Sequence, residues 1–477
     1  MSLRLDVVRR LPLATGIAIG ASGVALPASA HAHGLVGRAD LPVPAEIFAA
    51  AAAGVLVLSF LALAAGWSAA RLEAPRSHPL FRLPRVIDVV LGAVGVTAFA
   101  ALVLAGLFGE QIQRENLAPT LVYVIFWVGI PFASLLFGDV FRLLSPWRAI
   151  GRAVGWAAAR VAPGRLPAPS PYPRRLGRWP AAAGLLVFAA CELAWTAGQE
   201  PDTLAVLALV VMAIQLVGMS LYGVEAWTRN ADPFGVWFSL IASLSAFERR
   251  DGVLRTRVPG TGAAGILALP GTVALLCVAI GSTAFDSVAE GRAFGDLAIA
   301  LQSRLVGLGL SLSAGLELAF LLGLLATVAT IGLVYAVAIG AMPPPRRGTD
   351  RGGVARGMAH TLVPIAAAYL VAHYFSLLVF NGQDLWRLAS DPLGRGADLL
   401  GTATATIDYG VVSATAIWYV QVGALVVGHV AALVLGHDRA LTLYDSAPGA
   451  TRSQIVMLLL MVCFTGLGLW LLSEGSE

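Results

Sequence analysis

The chain has 477 residues, of which 58% are hydrophobic and 13% are charged, and its mean hydropathy is +0.79. A soluble globular domain of this length does not carry so apolar a composition, so the sequence indicates an integral membrane protein. All 32 basic residues are arginine, which excludes Schiff-base, lysine-nucleophile and P-loop-lysine chemistry. The formal charge of +4 does not indicate nucleic-acid binding, because the arginines are spread over several loops rather than gathered into one patch.

Residues 1–30 are predicted to form a secretory signal peptide. The basic start MSLRLDVVRR, the apolar run LPLATGIAIGASGVAL and the ending PASA fit cleavage after Ala30. An uncleaved first transmembrane helix is the alternative, although the apolar run is shorter than the ~20 residues that a span needs. Cleavage would make His31 the N-terminal residue of the mature chain, in the sequence HAHG that also contains His33.

Apolar segments that follow the signal predict an all-α fold, a polytopic helix bundle that occupies residues 31–477 as a single transmembrane domain. The predicted spans, about ten in number, are 46–68, 87–109, 118–138, 179–198, 202–224, 263–287, 313–341, 358–381, 411–436 and 453–473. An even number of spans places both mature termini on the same side of the membrane.

The distribution of arginine tests this topology, since cytoplasmic loops are enriched in basic residues. Alternate loops, at 69–86, 139–178, 225–262, 342–357 and 437–452, hold 23 arginines, whereas the segments on the other side hold six. These five loops are therefore predicted to be cytoplasmic, and both mature termini extracytoplasmic. In the second of them, arginines are spaced among Trp147, Trp156 and aliphatic residues as in a helix that lies in the membrane interface, and the third is predicted to hold a similar amphipathic segment that begins at a turn at Asp232-Pro233.

Several polar residues lie at a similar depth in the outer half of this predicted bundle. His373 and Tyr374 fall about 12 Å below the outer surface at a rise of about 1.5 Å per residue, and Gln421 falls near the same level. Glu192 and Glu317 lie in the outer parts of their own spans. An ionisable residue inside a membrane is costly and by default suggests a functional site. Packing through interhelical hydrogen bonds is the alternative for each residue.

A second polar group lies in the inner half and consists of His360, His429, His437 and Asp438. A structural hydrogen-bonding role is favoured for this group, because histidines near headgroups need no special function. His360 and His373 are thirteen residues apart, a spacing that resembles the paired haem ligands of b-type cytochromes. His429 and His437 are only eight apart and do not supply the matching pair, so haem ranks last.

A mature N-terminus that begins HAH offers a free amine and two imidazoles, which suit copper or, together with carboxylates, zinc. His31, His33 and His373 are therefore the predicted metal ligands. A metal at this position would activate water for hydrolysis by lowering its pKa. The alternative is a protein that binds or transports a metal without hydrolytic turnover.

Three runs of sequence carry a family resemblance: HGLVGRADLPVP (33–44), HTLVPIAAAYLVAHYFSLLVFNGQ (360–383) and ATIDYGVVSATAIWYVQVGALVVGHVAALVLGHDRAL (405–441). With the loop EAWTRNADPF, they resemble a family of bacterial polytopic membrane proteins known as fenitrothion hydrolases, and the likeness extends over nearly the whole chain. The resemblance implies hydrolysis of a phosphotriester-type organophosphate, a bacterial inner-membrane location and a membrane partner protein. It supplies no catalytic residues.

The sequence and the resemblance together predict a membrane-embedded hydrolase whose site opens to the outer face. An apolar organophosphate could enter this site sideways from the lipid. Glu192 or Glu317 would serve as a further metal ligand or as the general base, and Tyr374 and Gln421 would orient the substrate. The expected cofactor is a divalent metal, copper or zinc.

Overall fold

The computed structural model describes residues 45–73, 76–161, 167–266, 268–346 and 349–474. The predicted signal peptide and the predicted metal ligands His31 and His33 lie outside the described residues. Within the described residues the architecture is an α-helical bundle with almost no strand, which confirms the predicted fold class.

Eight helices in the described part of the chain are long and apolar enough to cross a membrane. They are Arg85–Phe108, Leu117–Phe137, Pro201–Tyr222, Thr272–Glu290, Leu312–Ala341, Arg351–Asn381, Ala414–Leu443 and Ala447–Gly466. Each overlaps one of the predicted spans, and together they describe a multi-pass membrane protein.

The α-helices are labelled in chain order. They are α1 (Ala45–Gly66), α2 (Arg85–Phe108), α3 (Leu117–Pro119), α4 (Ile130–Phe137), α5 (Phe141–Leu144), α6 (Pro146–Val161), α7 (Trp179–Leu193), α8 (Pro201–Tyr222), α9 (Val224–Asn230), α10 (Pro233–Ala242), α11 (Thr272–Glu290), α12 (Arg292–Gly307), α13 (Leu312–Ala341), α14 (Arg351–Met358), α15 (Leu362–Asn381), α16 (Asp384–Ser390), α17 (Ala414–Leu443), α18 (Ala447–Ser453) and α19 (Ile455–Glu474). A 3₁₀ turn at Ala359–Thr361 joins α14 to α15, just before Pro364, which lacks the N–H for a helical hydrogen bond.

The other two predicted spans correspond to α1 and α7. α7 has 15 residues, a length of about 22 Å, which is less than the ~30 Å hydrocarbon core. The predicted span 179–198 is therefore too long, because the helix ends at Leu193 and a 3₁₀ turn follows at Thr196–Gln199. α8 then begins at Pro201, a first helical position at which the missing N–H costs nothing. The count of ten spans stays a prediction.

The predicted span 118–138 is not a uniform α-helix. Its first part, Thr120–Gly129, is π-helical, and α4 continues from Ile130 with Pro131 as its second residue. π-helical turns are rare in proteins, and those that occur often lie at functional sites. Tyr123 and Trp127 in this segment lie against the ring of Phe188 on α7, with ring centroids 6.2 and 4.8 Å away.

Two loops combine into a small antiparallel sheet that the sequence analysis did not predict. β1 (Ser77–Arg82) pairs with β3 (Val253–Arg257), which also pairs with β2 (Phe247–Arg250). The β2–β3 hairpin turns at Asp251 and Gly252, whose φ angles are +52° and +79°. A tight two-residue hairpin turn requires positive φ at both positions, and Asp-Gly is among the pairs that best supply it.

α10 lies inside the bundle, which corrects the interfacial placement expected for this part of the third predicted cytoplasmic loop. Phe234 and Phe238 of α10 pack edge-on against Phe126, with ring centroids 4.7 and 5.5 Å apart. Asp232 is 1% exposed, accepts a hydrogen bond from the Phe234 backbone N–H and thereby caps α10. The Trp147 indole donates a second hydrogen bond of 2.7 Å to the same carboxylate.

The loops contact one another in two separate groups, one at each end of the bundle. Contacts between predicted cytoplasmic loops are the β1–β3 pairing and the ion pairs Arg142–Glu225, Arg439–Glu73 and Arg346–Asp445. Contacts between the other loops are Gln113–Glu200, Arg387–Arg114 and Thr196–Glu317. The structure therefore sorts the loops into the two predicted sets, and which set faces the cytoplasm stays a prediction.

Candidate intramembrane acid–base site

A histidine and an aspartate from two different spans meet inside the bundle. His373 on α15 places its Nε2 atom 2.9 Å from Oδ2 of Asp286 on α11. The residues are 7% and 5% exposed, so the pair is buried. Asp286 lies four residues before the end of α11, or about 6 Å along the helix axis. The pair therefore lies just inside the end of the bundle that is predicted to be extracytoplasmic.

Ser287, the next residue on α11, approaches the other ring nitrogen of the histidine. Its Oγ atom is 3.0 Å from Nδ1 of His373. When Asp286 is ionised it can only accept hydrogen bonds, and in that state Nε2 of His373 carries the ring proton and donates its hydrogen bond to the carboxylate. In this tautomer Nδ1 is a hydrogen-bond acceptor that faces the Ser287 hydroxyl, which also lies 3.5 Å from the Thr283 carbonyl oxygen. Ser287, His373 and Asp286 are thus linked in the order hydroxyl, imidazole and carboxylate.

Tyr374 makes a second contact with the same carboxylate. Its hydroxyl donates a hydrogen bond of 2.9 Å to Oδ2 of Asp286, and its ring lies edge-on to that of His373, with centroids 4.6 Å apart. Two consecutive residues of α15 therefore converge on one side chain of α11. Because the Tyr374 hydroxyl is directed to Asp286, it positions the carboxylate.

Two glutamates flank this centre. Glu192 on α7 lies close enough to interact electrostatically with Asp286 and Tyr374, and Glu290 at the end of α11 with His373 and Asp286. The Oε1 atom of Glu290 is buried and has no hydrogen-bond partner within the described residues. Asp286 and Glu290 thus lie near the His373 imidazole, and Glu192 lies near Asp286.

The remaining predicted catalytic residues lie apart from this centre. Glu317, at the start of α13, contacts Thr196 and accepts hydrogen bonds from both its hydroxyl and its backbone N–H. Gln421 is buried on α17, one turn after Trp418, which packs against Phe380. Of the predicted site residues, Glu192, His373 and Tyr374 therefore lie together around Asp286.

The predicted metal site cannot be assembled from the part of the chain that the structure describes. Within those residues no group of three or more His, Cys, Asp or Glu side chains has the arrangement of a metal site. Both ring nitrogens of His373 already have hydrogen-bonding neighbours, so a metal would have to displace Asp286 or Ser287. Copper and zinc stay expectations that depend on His31 and His33.

The inner histidines are engaged in contacts that hold the backbone. His360 shares a hydrogen bond with the Gly357 carbonyl, and His437 contacts the Trp67 carbonyl through Nε2 and Gln454 through Nδ1. The Asp438 carboxylate accepts hydrogen bonds from the Trp67 indole and from the backbone N–H groups of residues 71 and 72. For His360, His437 and Asp438 these contacts agree with the expected structural role, whereas His429 donates from Nδ1 to the Leu425 carbonyl and its buried Nε2 has no hydrogen-bond partner within the described residues.

Sequence reasoning missed Asp286 and Ser287. The predicted span 263–287 placed both residues at its outer boundary, so they read as the beginning of a loop. α11 instead continues to Glu290, which moves Asp286 a full turn inside the helix. A lone carboxylate within an apolar helix is the signal that identifies it.

Comparisons of the chain with protein-family models, with curated proteins and with solved structures found no match. The likeness to fenitrothion hydrolases therefore stays an expectation from the sequence, and the chemistry is inferred from the geometry of the buried residues.

Proposed function

We propose that the protein is a membrane-embedded hydrolase in which Ser287 is the nucleophile and His373 the general base. Asp286 orients His373 and stabilises the imidazolium that forms when it accepts a proton. The series Ser287–His373–Asp286, with distances of 3.0 and 2.9 Å, is the observation that supports this proposal. The proposed substrate is an apolar phosphotriester-type organophosphate, as the sequence resemblance implies.

In the first half of the reaction the Ser287 oxygen attacks phosphorus while its proton passes to Nδ1 of His373. The bond from phosphorus to the leaving alkoxide or aryloxide breaks, and His373 gives its proton to that oxygen. In the second half His373 removes a proton from water, and the resulting hydroxide attacks the phosphoserine. Ser287 leaves, regains its proton from His373 and is restored, so that each turnover consumes one water.

The position of Ser287 suits both reactants. The residue is half-buried and lies three residues before the end of α11, about 4–5 Å along the helix axis. Water from the extracytoplasmic side has only this short distance to cover. An apolar triester concentrates in the hydrocarbon and can approach between helices, as ligands do in other helix-lined sites.

The experiment is labelling of purified protein with a serine-directed fluorophosphonate, followed by mass spectrometry of the modified peptide. We expect the adduct on Ser287, its loss in Ser287→Ala and a decrease of at least tenfold in His373→Gln. Ser282→Ala is the matched control. Ser282 is buried on the same helix, and its hydroxyl donates a hydrogen bond to the backbone carbonyl of Ala279 in the preceding turn. Labelling that persists in Ser287→Ala, or no labelling of folded wild type, would overturn the proposal.

Metal binding or transport without hydrolysis is the second candidate, and the glutamates favour it. Glu290 has a buried oxygen without a hydrogen-bond partner in the described residues, and Glu192 lies near Asp286. Metal analysis separates the two functions: copper or zinc that is lost in Glu290→Gln but kept in Ser287→Ala supports transport or storage. Fluorophosphonate labelling without bound metal supports the hydrolase.

A further inference from the structure

A cavity of about 300 Å³ lies between α2, the π-helical segment, α6, α7 and α8, and its lining residue Cys191 is the sequence neighbour of Glu192. Its lining is almost wholly apolar and includes Gly95, Leu102, Trp147, Leu204 and Ala208. Trp147 is the second residue of α6, in a predicted cytoplasmic loop, whereas Leu204 is in the first turn of α8 near the opposite end. The cavity is therefore elongated along the helices, in the direction of the membrane normal.

The cavity opens at the periphery of the bundle. α2 is the least buried of the eight candidate spans, and its Val94 both lines the cavity and is 51% exposed. On α8, the half-exposed Val206 and Val210 lie on the face opposite the lining residue Ala208, so the cavity opens on the α2 side. Apolar side chains exposed at this level contact lipid in a membrane, so lipid chains have direct access to the cavity.

Arginines cluster where the cavity approaches the predicted cytoplasmic face. In the sequence, Arg142 and Arg148 are direct neighbours of the cavity-lining residues Phe141 and Trp147, and the lining residue Leu144 lies between them. Their guanidinium groups bind the Glu225 carboxylate at 2.7 and 2.6 Å, and a third guanidinium, that of Arg229, lies 3.9 Å from it.

The arginine cluster has an excess of positive charge. Arg152, Asp139 and Asp88 also interact electrostatically with it, and Arg249 pairs with Asp88, so five arginines face three carboxylates, a net charge of +2. The side chains of Arg142 and Arg229 are 42% and 65% exposed and can accept a further anionic partner. A basic cluster beside an apolar cavity at this face matches the two parts of an anionic phospholipid.

We infer that the cavity binds one acyl chain of an anionic phospholipid whose phosphate lies against Arg142 and Arg229. The apolar lining selects a hydrocarbon chain, and its elongation along the membrane normal matches the orientation of a lipid in a leaflet. The arginine cluster selects the charge of the headgroup, because guanidinium groups form paired hydrogen bonds with phosphate. This site is independent of the hydrolase proposal.

The test uses full-length protein in phosphatidylcholine vesicles that contain a trace of phosphatidylglycerol with a photoreactive diazirine in one acyl chain. After irradiation, mass spectrometry should locate crosslinks on the lining residues of α2 and α8. Ala208→Phe fills the cavity and should reduce these crosslinks at least fivefold. Val210→Phe is the matched control on the same helix, where the side chain is 49% exposed and does not line the cavity, so crosslinks should persist.

Competition in wild-type protein gives a second readout that needs no variant. Unlabelled phosphatidylglycerol should displace the probe at least fivefold better than added phosphatidylcholine, and the double variant Arg142→Gln, Arg229→Gln should lose this difference. Equal crosslinking of the Ala208→Phe and Val210→Phe variants would mean non-specific surface lipid and would overturn the inference. Equal competition by the two lipids in wild type would do the same.

Discussion

His373 Nε2 and Asp286 Oδ2 lie 2.9 Å apart although 87 positions separate the two residues in the sequence. The contact joins α15 to α11, and the Tyr374 hydroxyl adds a second hydrogen bond to the same oxygen atom. One buried carboxylate therefore accepts hydrogen bonds from two polar groups. Removal of the carboxylate leaves both without that acceptor, whereas removal of one donor leaves the other in place.

This asymmetry predicts unequal costs for two substitutions. Asp286→Ala should lower the free energy of unfolding by about 2–5 kcal/mol, because two buried donors lose their acceptor. Tyr374→Phe should lower it by about 1 kcal/mol, the usual value of one hydrogen bond between membrane helices. Unfolding in detergent, followed by circular dichroism, measures both values against Ser282→Ala. Equal losses for the two variants would contradict the shared-carboxylate arrangement.

Depth in the membrane was predictable from sequence, but the direction in which a side chain points was not. Counting residues from the ends of apolar spans placed Glu192, Glu317, His373 and Tyr374 in the outer part of the bundle. The structure joins Glu192, His373 and Tyr374 around Asp286, whereas Glu317 faces Thr196. The facing side depends on rotation about each helix axis, and the spans are apolar on all sides, so no hydrophobic periodicity fixes it.

The sheet and α10 were missed for a different reason. The strands of the sheet have four to six residues and lie in arginine-rich loops, where neither a hydropathy window nor strict alternation detects them. The segment after Asp232 read as an interfacial helix because it lies in an arginine-containing loop and looks amphipathic. Its burial depends on contacts with Phe126 and Trp147, which are distant in sequence. The helices that cross the membrane were predictable because their length alone identifies them.

Close packing of α15 against α17 predicts a contrast between two glycines of the same helix. A Cβ atom at Gly428 would lie 2.3 Å from Ala368 Cβ and 2.7 Å from the Pro364 carbonyl oxygen, whereas one at Gly423 would meet nothing within 4 Å. Gly428→Ala should therefore destabilise the protein by about 1–3 kcal/mol, because the helices must separate. Gly423→Ala should be neutral or stabilising by up to about 1 kcal/mol, since alanine favours the helix.

Thermal melting of both variants in the same detergent measures this contrast. Any global effect of added helix propensity appears in both variants, so only the difference between them reports helix packing. If Gly428→Ala melted at the same temperature as Gly423→Ala, α15 and α17 would not be in this close contact.

The two groups of loops predict accessibility from opposite sides of the membrane. Asp251 at the hairpin turn has a side chain that is 94% exposed, and Thr404 is exposed in the loop before α17. In a variant whose three native cysteines are replaced by serine, Thr404→Cys should react with a membrane-impermeant maleimide in intact cells. Asp251→Cys should react only after permeabilisation. Labelling of Asp251→Cys in intact cells would reverse the predicted orientation.

Asp232 is a buried carboxylate outside the membrane spans, and its environment predicts a pH-dependent stability. Burial raises the pKa of this carboxyl to about 6, although hydrogen bonds from the Gly235 backbone, the Trp147 indole and the Phe234 backbone act in the opposite direction. Asp139 lies near enough for its charge to raise the pKa further. In the unfolded chain the same group has a pKa near 3.8.

Between about pH 4 and pH 6 the folded protein therefore retains a proton that the unfolded chain has released. The contribution of Asp232 to the free energy of unfolding should fall by roughly 3 kcal/mol as the pH rises through this interval and should stay constant above it, at 1.36 kcal/mol per unit of pKa difference. Asp232→Asn has no proton to lose, and its single side-chain oxygen can accept the hydrogen bond of the Phe234 backbone, while its amide nitrogen cannot accept the one from Trp147. Chemical unfolding at pH 4, 5, 6 and 7 should show this decrease in wild type but not in the variant. All other titrating groups are the same in the two proteins, so the difference between their pH profiles reports Asp232 alone. Parallel profiles for the two proteins would mean that Asp232 has an ordinary pKa in the folded state.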